Sequence, residues 1–310
     1  MKSVAIEINE TPAETAVVPQ LGLKERIGAL VELTKPRITF LLLLTAAAGF
    51  CLGSQGPINL VKLAHTMVGL GLLASGVATL NQYWERGLDS MMARTESRPL
   101  PTRRVSPAEA LAFGLILTFG SEVYLALLVN PLTSLLGVVV IVGYVLMYTP
   151  LKTKTSLATV VGAFPGAMPP FIGWAAANNQ LHLGAWVLFA IIFLWQFPHF
   201  LAIATLYRDD YKKAGILMLP VIESNGRMTG RQIVLYTLML IPTSLVPTLI
   251  GMTGKVYFYG AVILGLVFLY VAVRAALDHS KTTARRLLLA SVIYLPLLFI
   301  LMVLNQRSPF

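Results

Sequence analysis

Asn81, Glu85 and Asp89 recur every fourth residue in Asn81-Gln-Tyr-Trp-Glu85-Arg-Gly-Leu-Asp89. On a helix that spacing stacks three oxygen-bearing side chains on one face. Carboxylates four residues apart repel each other, so the pattern is unfavourable unless a cation lies between them. A hard divalent ion answers that need. Magnesium takes one or two carboxylates plus waters and phosphate oxygens, which suits this set better than zinc or copper. Arg94 and Arg98 repeat the four-residue step just beyond, and guanidinium groups grip phosphate oxygens through paired hydrogen bonds. Cation and arginines together describe a diphosphate site. The bland alternative is a solvated helix end whose arginines only anchor a loop.

A second segment, Tyr207-Arg208-Asp209-Asp210-Tyr211-Lys212-Lys213, again crowds acids and bases at a helix end. Lys152 and Lys154, just after Tyr148-Thr-Pro, supply cations in a third connection. His199 lies about two helical turns before Asp209, beside Pro198 in an otherwise apolar stretch. A histidine there loses hydration, and intramembrane polar groups usually have a partner or a task. It could ligate iron, move a proton or bond a neighbouring carbonyl.

These clusters need elements to hold them, and the composition says which. Of 310 residues 56% are hydrophobic and 12% charged, with a mean hydropathy of +0.74, values that belong to membrane proteins. A span of the hydrocarbon takes about 20 helical residues. Nine such runs are present: 36–54, 60–82, 107–128, 132–149, 157–176, 184–206, 231–250, 256–275 and 285–304. They do not alternate as barrel strands do, and an open sheet cannot satisfy its backbone in lipid. The expected fold is therefore all-α and polytopic, nine membrane helices around a central cavity, in one domain over 31–310.

Of the 24 Lys and Arg residues, 21 fall in the connections of one side, and only Lys62, Lys255 and Arg307 fall in the other. By the positive-inside rule the amino terminus is expected in the cytoplasm, with the charged connections. The net charge of +10 is then a topology signal. No basic stripe interleaved with aromatics points to a nucleic-acid partner. Residues 1–30 read as a disordered tail, with an interfacial helix beginning near Leu23. The single Cys51 excludes an intramolecular disulfide and a cysteine metal site. A transporter would spread polar groups through the bilayer. Here they gather at one face.

With both acidic segments in hand, the chain resembles the intramembrane prenyltransferase superfamily of the UbiA type, which places two aspartate-rich motifs at the inner ends of helices 2 and 6. The resemblance is closest to the branch that farnesylates haem. It rests on Asn81, Glu85 and Asp89 running into Arg94-Thr95 and Arg98-Pro-Leu-Pro101, on Tyr207–Tyr211 followed by Ala214-Gly215 and Met218-Leu-Pro220, on Pro169–Trp174, and on Trp195-Gln-Phe-Pro-His199. Relatives with other acceptors, such as quinone rings or chlorophyll-type molecules, commonly carry Asp at the Glu85 position.

The resemblance implies magnesium held by Asn81, Glu85, Asp89 and the Asp209/Asp210 pair, with farnesyl diphosphate and haem B as substrates. Asp209 and Asp210 are adjacent where the superfamily often separates two aspartates by three residues, so it does not choose between them. Arg94, Arg98, Lys152, Lys154, Arg208 and Lys212 are the implied diphosphate contacts, with Tyr148, Tyr207 and Tyr211 for diphosphate or haem propionates. His199 and Trp174 are candidates for haem. The implied setting is the bacterial inner membrane, active site toward the cytoplasm. A downstream haem-modifying enzyme or cytochrome oxidase assembly is the candidate protein partner.

Overall fold

The computed structural model describes residues 22–307, and among them nine helices are long and apolar enough to cross a membrane. An amphipathic helix α1 (Leu23–Leu33) precedes them. The expected tail is thus helical from Leu23, and its residues 1–21 lie outside the described ones. The spans are α2 (Pro36–Gly53), α3 (Leu60–Asp89), α4 (Pro107–Leu128), α5 (Pro131–Leu151), α6 (Ala158–Asn178), α7 (Leu183–Leu206), α8 (Arg227–Leu249), α9 (Lys255–Asp278) and α10 (Lys281–Leu304). Each covers one of the nine runs seen in the sequence.

Residue size decides which faces meet. On α4, Ile116, Phe119, Val123 and Leu127 form an exposed stripe at helical spacing, facing where lipid would lie. The opposite stripe of Gly114, Thr118, Ser121 and Leu125 is buried. It packs on Gly76 of α3, where an added Cβ would meet Thr118 Oγ1 at 2.4 Å. Small residues bring backbones together in lipid, where burying apolar area drives little association. The α2–α6 contact is tighter still: a Cβ on Gly173 would lie 2.0 Å from the Ala46 carbonyl oxygen, and one on Gly49 2.1 Å from that of Pro170. Helices α6 and α7 are the inner elements, 67% and 61% buried over their apolar windows against 22% for α4. Contacts of α2 with α3 and α10, and of α10 with α7, close the bundle.

Three irregularities aim side chains at the charged end. At its 30 residues, α3 is about 45 Å long, more than the hydrocarbon requires, so its last turns carry Asn81, Glu85 and Asp89 beyond it. In α5, Pro150 has no N–H for the regular ladder, and residues Val142–Tyr148 take the wider π-helical turn. The Tyr144 carbonyl accepts both the Thr149 N–H and, at 2.8 Å, its hydroxyl. Helix α6 breaks at Ala167, ahead of the Pro169-Pro170 pair whose missing N–H groups interrupt it.

Candidate active site

The helix spacing read from the sequence is realised, and the three side chains it stacks are almost fully buried: Asn81 is 2% exposed, Glu85 6% and Asp89 1%. Each meets a base brought from elsewhere. The Arg98 Nη1 donates to both Asp89 carboxylate oxygens, at 2.9 and 2.8 Å. Lys152 Nζ lies 2.5 Å from Glu85 Oε1, and Lys35 Nζ donates to Asn81 Oδ1 at 3.0 Å. The Asn81 amide donates in turn to Thr149 Oγ1 at 3.2 Å.

Local chemistry explains how each base arrives. The loop after α3 folds back because Thr95 Oγ1 donates to the Asp89 carbonyl, which turns Arg98 toward the Asp89 carboxylate nine residues before it. Helix α1 clamps that loop. Its Ala29 and Leu33 bury against Leu100, Val105 and Ala110, while Arg104 pairs with Glu32 and Arg26 with Glu109. The Gln82 amide donates to the Leu33 carbonyl at 2.7 Å, which fixes the end of α1 two residues before Lys35. Lys35 itself has φ 49°, a left-handed conformation that a side chain with a Cβ disfavours. Pro36 excludes the α region for it, and the contorted turn sends its ammonium inward.

Lys152 is reached through the π turn. Its ammonium lies 4.5 Å from the Tyr148 ring centroid, a cation–π distance. Tyr148 packs flat over Gly162, where a Cβ would come within 2.5 Å of the ring. Three connections then lock together. The Leu217 N–H donates to the Lys152 carbonyl at 2.8 Å, and Met92 buries with Ala214 and Ile216. Arg94, exposed from the first loop, lies over Tyr207 at 5.0 Å and Tyr211 at 5.8 Å.

Charge and burial shape the titration of the lysines. Burial, reinforced by Arg98 and Lys152, pulls the Lys35 ammonium down to about 7 against the opposing pull of Glu85 and Asp89. Burial works against Lys152 as well, but Tyr148 and Glu85 beside it outweigh burial and hold it protonated above the ordinary lysine range. Two lysines far apart in the chain thus behave differently in one pocket.

The donor set fits a hard cation. Asn81, Glu85 and Asp89 offer oxygen only, and Glu85 Oε1, though close to Lys152, has no hydrogen-bond partner of acceptable geometry. A carboxylate oxygen has more than one acceptor site, so Oε1 can take a ligand beside the Lys152 ammonium. Among the described residues, however, no three acidic, histidine or cysteine side chains converge as a metal cage.

Several expected residues lie elsewhere. Asp209 is 75% exposed and accepts from Lys281 at 3.0 Å, which holds its carboxyl below the usual carboxylate range. With Arg208 and Glu223 it borders a cavity of about 300 Å³ between the ends of α7, α8, α9 and α10, which none of Asn81, Glu85 and Asp89 lines. Arg208 donates to the Glu223 carbonyl at 2.7 Å. Lys154 and Lys212 are exposed, and Asp210 is half-buried. His199 faces α10, its Nδ1 2.8 Å from Ser291 Oγ and its ring stacked on Trp195 at 4.7 Å. Trp174 lies at the far end of the bundle from the acids, packed on Gly53 and Gly184. Conversely, Lys35, Tyr144 and Thr149 join the site without having been singled out. Lys35 directly before a proline that opens a span was the available signal.

Comparison with known proteins agrees with this architecture. The model of the UbiA prenyltransferase family matches residues 42–302. A protoheme IX farnesyltransferase of Solibacter usitatus is 50% identical over 285 residues, covering 89% of this chain and 98% of its own. One of Koribacter versatilis is 44% identical over 299 residues, covering 93% and 96%. Among solved structures, one of a digeranylgeranylglyceryl phosphate synthase superposes with a TM-score of 0.76 at 17% identity, covering 91% of this chain and 98% of that one. A UbiA homolog from Archaeoglobus fulgidus bound to GPP and Mg2+ superposes with a TM-score of 0.67 at 16% identity, covering 88% and 99%. On its sequence and its nine-helix bundle alike, the chain belongs to the UbiA prenyltransferase family.

Proposed function

We propose that the chain transfers the farnesyl group of farnesyl diphosphate to a vinyl group of haem B and that water completes the addition, giving haem O and diphosphate. The donor half rests on one observation: Asn81, Glu85 and Asp89 are buried against Lys35, Arg98 and Lys152 at one end of a membrane bundle. The acceptor half rests on the relatives named protoheme IX farnesyltransferase.

Asn81, Glu85 and Asp89 would hold magnesium, whose charge would offset that of the diphosphate. Arg98 and Lys152, paired with acids in the free protein, turn to the phosphate oxygens when substrate enters, and Arg94 closes from the loop above. Breaking the C1–O bond of the farnesyl group leaves its electron pair on diphosphate, the charge these bases stabilise. Apolar helix walls keep the allylic cation from water. The vinyl π pair forms the new C–C bond. Water then adds to the adjoining carbon and loses a proton, leaving a hydroxyethylfarnesyl side chain. His199 is proposed only as a haem contact, and Lys154, Lys212, Tyr148, Tyr207 and Tyr211 as substrate contacts; Trp174, at the far end of the bundle, is left out of the site.

The short helix Arg208–Lys213 separates the two aspartates. At about 100° per residue, Asp209 points opposite to the Tyr207–Tyr211 side that faces Arg94, and Asp210 falls nearer to it. Asp210 is therefore the proposed metal residue. Asp210→Asn is expected to lower turnover about a hundredfold or more, and Asp209→Asn less than about threefold, read as kcat in the same detergent preparation.

The decisive assay incubates the purified protein with haem B, farnesyl diphosphate and magnesium and follows products by mass spectrometry. Haem O is expected, lost with EDTA and restored by added magnesium. No haem O, with prenylation of a phenolic acid instead, would overturn the acceptor. In cells the protein is proposed to lie in the bacterial inner membrane, charged connections in the cytoplasm, where a downstream haem-modifying enzyme would receive the product.

A further inference from the structure

A small pocket of about 120 Å³ opens between α9 and α10, lined by Tyr270, Val271, Arg274, Thr283 and Arg286. It is separate from the acidic cluster, and none of these residues enters the mechanism above. Arg274 lies four residues from the Asp278 end of α9 and Arg286 five from the Lys281 start of α10. At 1.5 Å per residue the two are about 6 and 8 Å above the helix ends, so they meet at one depth on the charged side of the bilayer. Both are exposed, and neither takes part in an ion pair among the described residues. The nearest acid on α9, Asp278, accepts the Ser280 hydroxyl.

Behind each arginine runs an apolar stripe at helical spacing. On α9 it is Tyr270, Val267 and Ile263, and on α10 Leu289, Ile293 and Ile300, all strongly exposed. Arginines that served topology alone could project anywhere around their helices. Here two from adjacent spans converge on one recess, with a hydroxyl and a phenol beside them and apolar tracks leading away toward the membrane centre.

We propose that Arg274 and Arg286 bind the phosphodiester of an anionic phospholipid whose acyl chains lie along these two stripes. Two guanidinium groups match phosphate oxygens in paired geometry, and basic recesses between spans are suited to lipid headgroups. The lipid bridges α9 to α10 at the edge of the bundle.

The test equilibrates the full-length protein with mixed phosphatidylcholine–phosphatidylglycerol micelles and counts retained lipid by native mass spectrometry. The wild type is expected to keep one phosphatidylglycerol in preference to phosphatidylcholine. Arg274→Gln/Arg286→Gln lowers that preference about thirtyfold, and Arg286→Gln alone about fivefold. Arg231→Gln, an equal loss of charge four residues inside α8, leaves it unchanged. Loss of preference in Arg231→Gln would mean bulk charge attraction and overturn the site, as would a wild type that retains both lipids equally. Displacement of the retained phosphatidylglycerol by inorganic phosphate would assign the arginines to a free anion and overturn the lipid. Should the double variant not fold, Arg286→Gln carries the comparison.

Discussion

Asp89→Asn is expected to lower kcat by about a thousandfold while the protein keeps its helical circular dichroism. The side chain keeps its size, and the amide oxygen still accepts from Arg98, which now donates to both carboxylate oxygens. What is lost is the negative charge, and with it the proposed hard-cation ligand, whose work would be done where leaving-group charge develops. A pure fold role would show instead as lost helicity or a lower melting temperature with kcat preserved per folded molecule. Full activity in a folded Asp89→Asn protein would remove Asp89 from the metal site, and with it the reading of the three stacked oxygens as one ligand set.

Lys152→Met should have a double effect. Glu85 is 6% exposed, and its only ion-pair partner among the described residues is Lys152. Removing one member of a buried pair leaves an uncompensated charge, which costs about 3–5 kcal/mol and should appear as a lower melting temperature in detergent. Activity should fall about a hundredfold or more, because the cation proposed to stabilise the departing diphosphate is gone. The two effects separate in Glu85→Gln/Lys152→Met. Neutralising both partners is expected to restore most of the melting temperature and none of the turnover. Recovery of turnover in that double variant would make the pair structural and refute its catalytic assignment.

Much of this protein follows from local pattern. Nine apolar runs could only be helices in lipid, since no other open structure satisfies its backbone there, and the structure has them within a few residues at most ends. The one large difference is the inner end of α3, read as stopping near residue 82 but helical to Asp89. That extension had been implied by the four-residue spacing of its oxygens. Asn81, Glu85, Asp89, Arg98 and Lys152 lie together because a helix period aligns the first three and the loop after α3 folds Arg98 back onto Asp89.

Which base answers which acid could not be read from sequence. Lys35 is 46 residues from Asn81, and only the packing of α1 on the first long loop brings them together. Asp209 and Asp210 are equivalent by composition, and the short helix that carries them turns Asp209 toward Lys281 and leaves Asp210 half-buried. Trp174 belongs to a string that suggested a ligand contact, but the span direction carries it to the opposite end of the bundle. Sequence by itself determined what is periodic or compositional: the membrane, the spans, their charged side and the face that bears the acids. Tertiary structure alone decided the partners across elements, because side-chain direction and interhelical approach depend on small-residue packing between helices far apart in the chain.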